Sequence, residues 1–210
     1  MSKGFKLLLL LLGLAALSWG MYECKYYYSY YADLKDRPWA YSRDENAKLL
    51  VGTWQGEFHD PDGVTKTIRL TIAEPVTDEE RARKAGRRAR KRSGLGSQTD
   101  KKRFDGSATV SSHRGREAYK LNGHVRTEDG HQLDVIHFQI DDELQALRKN
   151  FTVHSALEGG QWQDDRLTLT LAFTYTTATG SAFSSSADPR YDKKITVRLS
   201  RENHEHFATN

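Results

Sequence analysis

From Leu7 to Tyr22 the chain reads "LLLLLLGLAALSWGMY", apolar almost throughout, and from about residue 50 it changes to a period of two. The first pattern suits a helix in lipid or a leader peptide, the second a half-buried strand. Between Leu167 and Thr176, Leu167, Leu169, Leu171, Phe173 and Tyr175 take one face, and Thr168, Thr170, Ala172, Thr174 and Thr176 take the other. The same alternation runs through Ile68–Ile72, Phe104–Val110, Tyr119–Val125 and Ile195–Leu199; Trp54–Phe58, Leu133–Ile140 and Phe151–Leu157 bring the strands to eight. Turn residues separate them at Asp60–Gly63, Glu128–Gly130, Glu158–Gly160 and Ser186–Pro189. Parity slips where Val135 and Ile136 adjoin, which predicts a β-bulge there. A short helical turn is expected within Asp141–Lys149. The pattern predicts an all-β chain, an eight-stranded antiparallel up-and-down barrel behind an N-terminal hydrophobic anchor helix.

Four parts follow from this pattern. Residues 1–24 are a signal peptide or membrane anchor, with Lys3 and Lys6 ahead of the apolar run and small residues at Ala16, Ser18 and Gly20 for a peptidase. Cleavage would give a secreted domain; retention gives a single-pass protein with its domain on the extracytoplasmic side. Lys25, Lys35 and Arg37 follow the run, so the positive-inside signal is mixed. Residues 25–46, rich in tyrosine and without a clean period, read as a juxtamembrane stalk whose aromatic rings sit at the headgroups. Residues 47–201 form the barrel, and 202–210 a frayed, disordered tail. Cys24 is the single cysteine, so no disulfide forms within one chain.

Charge changes the picture in one place. Residues 77–103 hold eleven Lys/Arg against four Asp/Glu, a balance of +7 that leaves −3 for the rest of a chain whose formal charge is +4. This basic insertion between the second and third strands, expected to coil into a helix from Thr77 through Arg92 and to stay flexible in its Gly-Ser-rich second part, offers Arg81, Arg83, Arg87, Arg88, Arg90, Lys91 and Arg92 to anionic lipid headgroups or a polyanion. No aromatic residue interrupts it, so base stacking and specific nucleic-acid recognition are not expected.

"VGTWQGEF", Val51 to Phe58, opens the first strand with Gly52-x-Trp54, and the meander ends in "ITVRLSR". In these features the chain resembles the calycin superfamily, the lipocalin-like and fatty-acid-binding-protein-like barrels. The resemblance implies a tryptophan packed at the closed end with an arginine across it, a role that Arg198 or Arg201 matches. It also implies Gly52, Trp54 and Arg198 as a structural base, and one small ligand inside. No Thr-Asp-Tyr motif precedes the seventh strand, so the likeness stops at the superfamily.

An eight-stranded barrel has an interior that side chains fill or that holds one small ligand. The large inward residues Phe138, Phe151, Phe173 and Tyr175 are candidates to line it. Eight histidines do not cluster, so no metal site is expected. No nucleophile, base and orienter stand at recognisable spacing, so neither catalysis nor a cofactor is expected. The leading expectation is a membrane-tethered barrel binding a small apolar or amphipathic molecule; the alternative is a module that docks an anionic surface through residues 77–103.

Overall fold

Alternation becomes ribbon wherever the sequence predicts it. In the computed structural model, which describes residues 3–87, 100–126, 131–141, 150–156, 160–184 and 192–202, the strands are β1 (Gly52–His59), β2 (Thr65–Ile72), β3 (Arg103–Ser112), β4 (Gly115–Val125), β5 (Leu133–Ile140), β6 (Asn150–Ala156), β7 (Gln161–Gln163), β8 (Arg166–Thr176), β9 (Ala182–Ser184) and β10 (Lys194–Arg201). Every pairing is antiparallel, each strand from β1 to β6 lies beside the next, and β6 lies beside β8. β10 then pairs with β8 along Lys194–Ser200 and with β1 at Trp54↔Arg201, which closes the ring. β6 and β7 follow one another along one side of β8, and β9 and β10 along the other, so ten segments fill eight positions. The result is a closed eight-stranded antiparallel barrel, with β1 and β10 joined at Trp54↔Arg201 and Gln55↔Ser200.

Two bulges keep the apolar faces inward. Gly123 pairs with Ile136 but Val125 pairs with Leu133, so three steps of β5 oppose two of β4, and Leu133 and Ile136 are both buried. This is the expected slip beside Val135. A second bulge in β6 sets the exposed His154 outside the ladder between Val153↔Phe173 and Ser155↔Ala172. The helical turn expected within Asp141–Lys149 and the tail 203–210 lie outside the described residues.

The helix α1 spans Lys3–Asp36 without a break and is about 50 Å long. Its apolar part is long and hydrophobic enough to cross a membrane, and Phe5 through Met21 expose their large side chains on all sides. Of the expected stalk at 25–46, residues 25–36 continue the helix, and 37–50 fold back to close the barrel floor. Tyrosines, Leu34 and Asp33 are all tolerated in a helix; the missing period reflects a segment that faces several neighbours rather than one core. Trp39 stands edge-on to Phe104 at 6.0 Å, Leu50 donates its N–H to the Trp39 carbonyl at 2.9 Å, and the Trp54 indole donates to the Leu50 carbonyl at 3.0 Å. Tyr41 donates to the Val76 carbonyl at 2.7 Å and accepts from the Val76 N–H at 2.8 Å, tying the floor to the exit of β2.

Between β2 and β3, α2 (Asp78–Gly86) starts at Thr77, whose hydroxyl accepts the Glu80 N–H. Asp78, Glu79 and Glu80 crowd its positive end. This helix packs on α1 and falls within Thr77–Arg92, the part of the insertion expected to coil; residues 88–99 lie outside the described residues.

Candidate functional site

At the floor, the helix-proximal end, Arg201 lies 4.4 Å above the Trp54 ring. It donates to Asp165 at 3.1 Å, to the Val51 carbonyl at 3.0 Å and to the Leu49 carbonyl. Lys48, 3.0 Å away, and Arg201 hold the Asp165 carboxyl below its usual range. Gly52 is needed twice over: its φ is +132°, and a Cβ there would stand 2.7 Å from the Arg201 guanidinium. At Gly56 a Cβ would come within 2.4 Å of the Arg198 carbonyl, where β10 crosses β1. The assignment of Arg198 to the indole is corrected to Arg201: β10 turns Val197 and Leu199 inward, Arg201 shares their parity, and Arg198 is exposed.

The opposite end is different in kind. Lys66 takes an inward position of β2 in register with Ile68, Leu70 and Ile72, and its side chain is only 1% exposed. Its ammonium donates to the Phe151 carbonyl at 2.6 Å, lies 3.3 Å from Glu117 Oε1 and 3.5 Å from Asp60 Oδ2. Glu117 in turn is inward on β4, and its other oxygen accepts the Tyr119 hydroxyl at 2.6 Å. Burial, and then the Glu117 charge, push the Tyr119 phenol well above its ordinary value. Asp60 uses Oδ1 to accept the Asp62 and Val64 N–H groups, while Oδ2 is buried without a hydrogen bond from any described residue. An ammonium, two carboxylates and a phenol thus meet inside the barrel. Sequence reasoning missed them although the signal was present, since a Lys and a Glu occupy apolar parity in "TKTIRLTI" and "EAYKLNGHV".

The four aromatic candidates adjoin this cluster. Phe151 stands 6.4 Å from Phe173 and 4.8 Å from half-buried Tyr175, Phe58 adds a ring 6.0 Å from Phe173, and Phe138 packs edge-on to Tyr119 at 5.8 Å. These rings occupy the interior. Surface clefts of about 750 and 460 Å³ lie where α1 meets α2, one of about 600 Å³ lies beside the floor and one of about 550 Å³ along β7 and β8, and none of the four rings lines them.

The basic residues divide. Arg81 is withdrawn from any surface role: its side chain is 1% exposed, it bridges Asp33 at 3.0 Å and Asp78 at 2.6 Å, and its guanidinium sits 5.4 to 5.9 Å from the rings of Tyr26, Tyr30 and Tyr41. A cation inside three tyrosines and two carboxylates is a clamp between α2 and α1. Arg83 and Arg87 remain exposed, and Arg83 and Lys84 lie 3.7 and 3.9 Å from Glu80. Arg88, Arg90, Lys91 and Arg92 lie outside the described residues. Among the described residues no three His, Cys, Asp or Glu side chains gather as a metal site.

Comparison with protein-family models and with curated proteins gives no match. Among solved structures, a protein described as the "De novo design of a fluorescence-activating beta barrel" is similar, with a TM-score of 0.37 and 12% identity over 76% of this chain and 99% of that one. The barrel described above stands on its own strand pairing.

Proposed function

We propose that the chain is a membrane-tethered binding protein: α1 carries the barrel at a bilayer, and the helix-distal end of the barrel receives a small apolar or amphipathic molecule. The observation that carries the ligand reading is Lys66, an ammonium buried on an inward strand position between Asp60 and Glu117. Buried ion pairs are poor stabilisers compared with apolar residues of similar size, and such groups concentrate at functional sites. Phe138, Phe151, Phe173 and Tyr175 supply apolar wall, while the ionic cluster supplies donors and acceptors for a polar head. Entry of a ligand moves these rings, which meet one another in its absence.

The tether rests on the exposed apolar helix, which is long and hydrophobic enough to cross a bilayer. In this reading the N-terminus with Lys3 and Lys6 is cytoplasmic and the barrel faces the extracytoplasmic side. The Gly52-x-Trp54 start with Arg201 across the indole supports placement among calycins. The protein acts by binding, without catalysis or a cofactor.

The test uses the full chain in lipid nanodiscs with 1-aminoanthracene as probe and empty nanodiscs as blank. A saturable fluorescence rise above the blank is expected. It should weaken when Asp60→Asn, Lys66→Met and Glu117→Gln are combined, since these keep volume and remove the charges together. A signal equal to the blank, or one that the triple variant leaves unchanged, contradicts the reading.

A further inference from the structure

Beside the floor of the barrel, outside its interior, a groove of about 600 Å³ runs between the last turns of α1, the segment 38–49 and the start of β7. Tyr31, Leu34, Leu49 and Trp162 form its apolar surface, and Lys35, Arg43 and Lys48 form its rim. Among the described residues no Asp or Glu lines it. Lys48 reaches Asp165 at 3.0 Å, but Lys35 and Arg43 pair with no carboxylate among the described residues; Arg43 rests instead 5.2 Å from the Tyr31 ring. The buried Trp162 indole N–H has no acceptor among the described residues. An apolar trough with two unmatched cations on its rim is complementary to an amphiphile with an anionic head.

Position selects the source of that amphiphile. Tyr31, Leu34 and Lys35 belong to the same unbroken helix as the apolar run that ends near Tyr22. The nine residues from Tyr22 to Tyr31 rise about 14 Å, against a headgroup layer roughly 5–8 Å thick on each side of a bilayer. The groove therefore begins about 6–9 Å beyond the headgroups at Tyr31, with Lys35 about 6 Å further along the helix, so the lipid is lifted partly out of the leaflet and the long stems of Lys35 and Arg43 shorten the distance.

We infer that the groove holds one anionic phospholipid drawn from the bilayer around α1, its phosphate against Lys35 and Arg43 and part of an acyl chain along Leu34, Leu49 and Trp162. This site takes α1 to be seated in lipid, but it needs no ligand inside the barrel. It also differs from the basic insertion, because Arg83 and Lys84 lie beside Glu80 on α2.

Native mass spectrometry of the full chain, released from a neutral detergent with phosphatidylglycerol and phosphatidylcholine at equal mole fraction, tests it. Wild type should retain one phosphatidylglycerol with about tenfold preference, the order expected for two phosphate-facing cations. Lys35→Gln/Arg43→Gln, which changes only exposed side chains, should abolish the preference, and Arg83→Gln/Lys84→Gln should keep it. Equal retention of both lipids, a preference indifferent to Lys35→Gln/Arg43→Gln, loss through the α2 pair alone, or a protein dimer in place of the lipid adduct overturns the site. Alkaline extraction of membranes carrying the full chain reports on the tether separately, so a failed anchor and a failed groove give different results.

Discussion

Tyr41 joins the barrel floor to the β2–α2 turn through two hydrogen bonds to Val76, and its burial pushes the phenol up to about 12. Tyr41→Phe strands the Val76 N–H and carbonyl, at a cost of about 1–3 kcal/mol at neutral pH measured by denaturant unfolding. The phenol's contribution is complete below its ordinary value near 10. As pH rises above that, the unfolded chain loses a proton that the folded chain keeps until about 12, so stability falls. Tyr119, raised in the same direction, adds to this fall. Thermal unfolding from about pH 8 to about pH 11 should show it, and Tyr41→Phe should flatten it. At Lys66 the prediction is larger: Lys66→Met alone leaves carboxylates buried beside an apolar chain and costs about 3–5 kcal/mol, much of it recovered by adding Asp60→Asn and Glu117→Gln. Lys66, Glu117 and Arg201 were all legible by parity. Each shares a face with apolar residues that the strand pattern already turned inward; Arg201 was named beside Arg198 through the resemblance, whereas Lys66 and Glu117 were passed over because the inward face was read for apolar residues only.

Among the elements, the joint between α1 and α2 depends on Arg81, held by Asp33 and Asp78 and by three tyrosine rings. Arg81→Met should cost about 3 kcal/mol, because Asp33 keeps its charge in a half-dry site with Arg37 as its remaining partner. Hydrogen exchange should then quicken along residues 26–36 while β1 and β2 keep their protection. This joint was not legible in the sequence. The tyrosines of α1 face a cation on another helix some fifty residues on, and no local period encodes a partner at that separation. The strands were legible because each strand's period follows from its own inside and outside. The bulge beside Val135 was equally legible, as a break in that period.

For the molecule as a whole, closure follows from β1 meeting β10 at two glycines. Gly52→Ala should cost about 1–3 kcal/mol, since it forces a side chain into φ +132° against the Arg201 guanidinium, and a fall in melting temperature measures it. The order of strands round the ring was legible from a meander of hairpin-length segments; the plug of Trp39, Tyr41 and Leu50 was not, because residues 37–50 carry no repeating pattern. The molecule has buried charges inside its helix-distal end, a floor plugged by Trp39, Tyr41 and Leu50, and a long apolar helix joined to that floor. The most direct test of the proposed binding end is photolabelling of the full chain in nanodiscs with a long-chain alcohol bearing a diazirine. Adducts on the peptides containing Phe58–Lys66, Phe151 and Phe173–Tyr175, competed away by unlabelled alcohol, are the predicted result. Adducts confined to α1 and the outer faces of the strands would contradict a ligand-binding barrel.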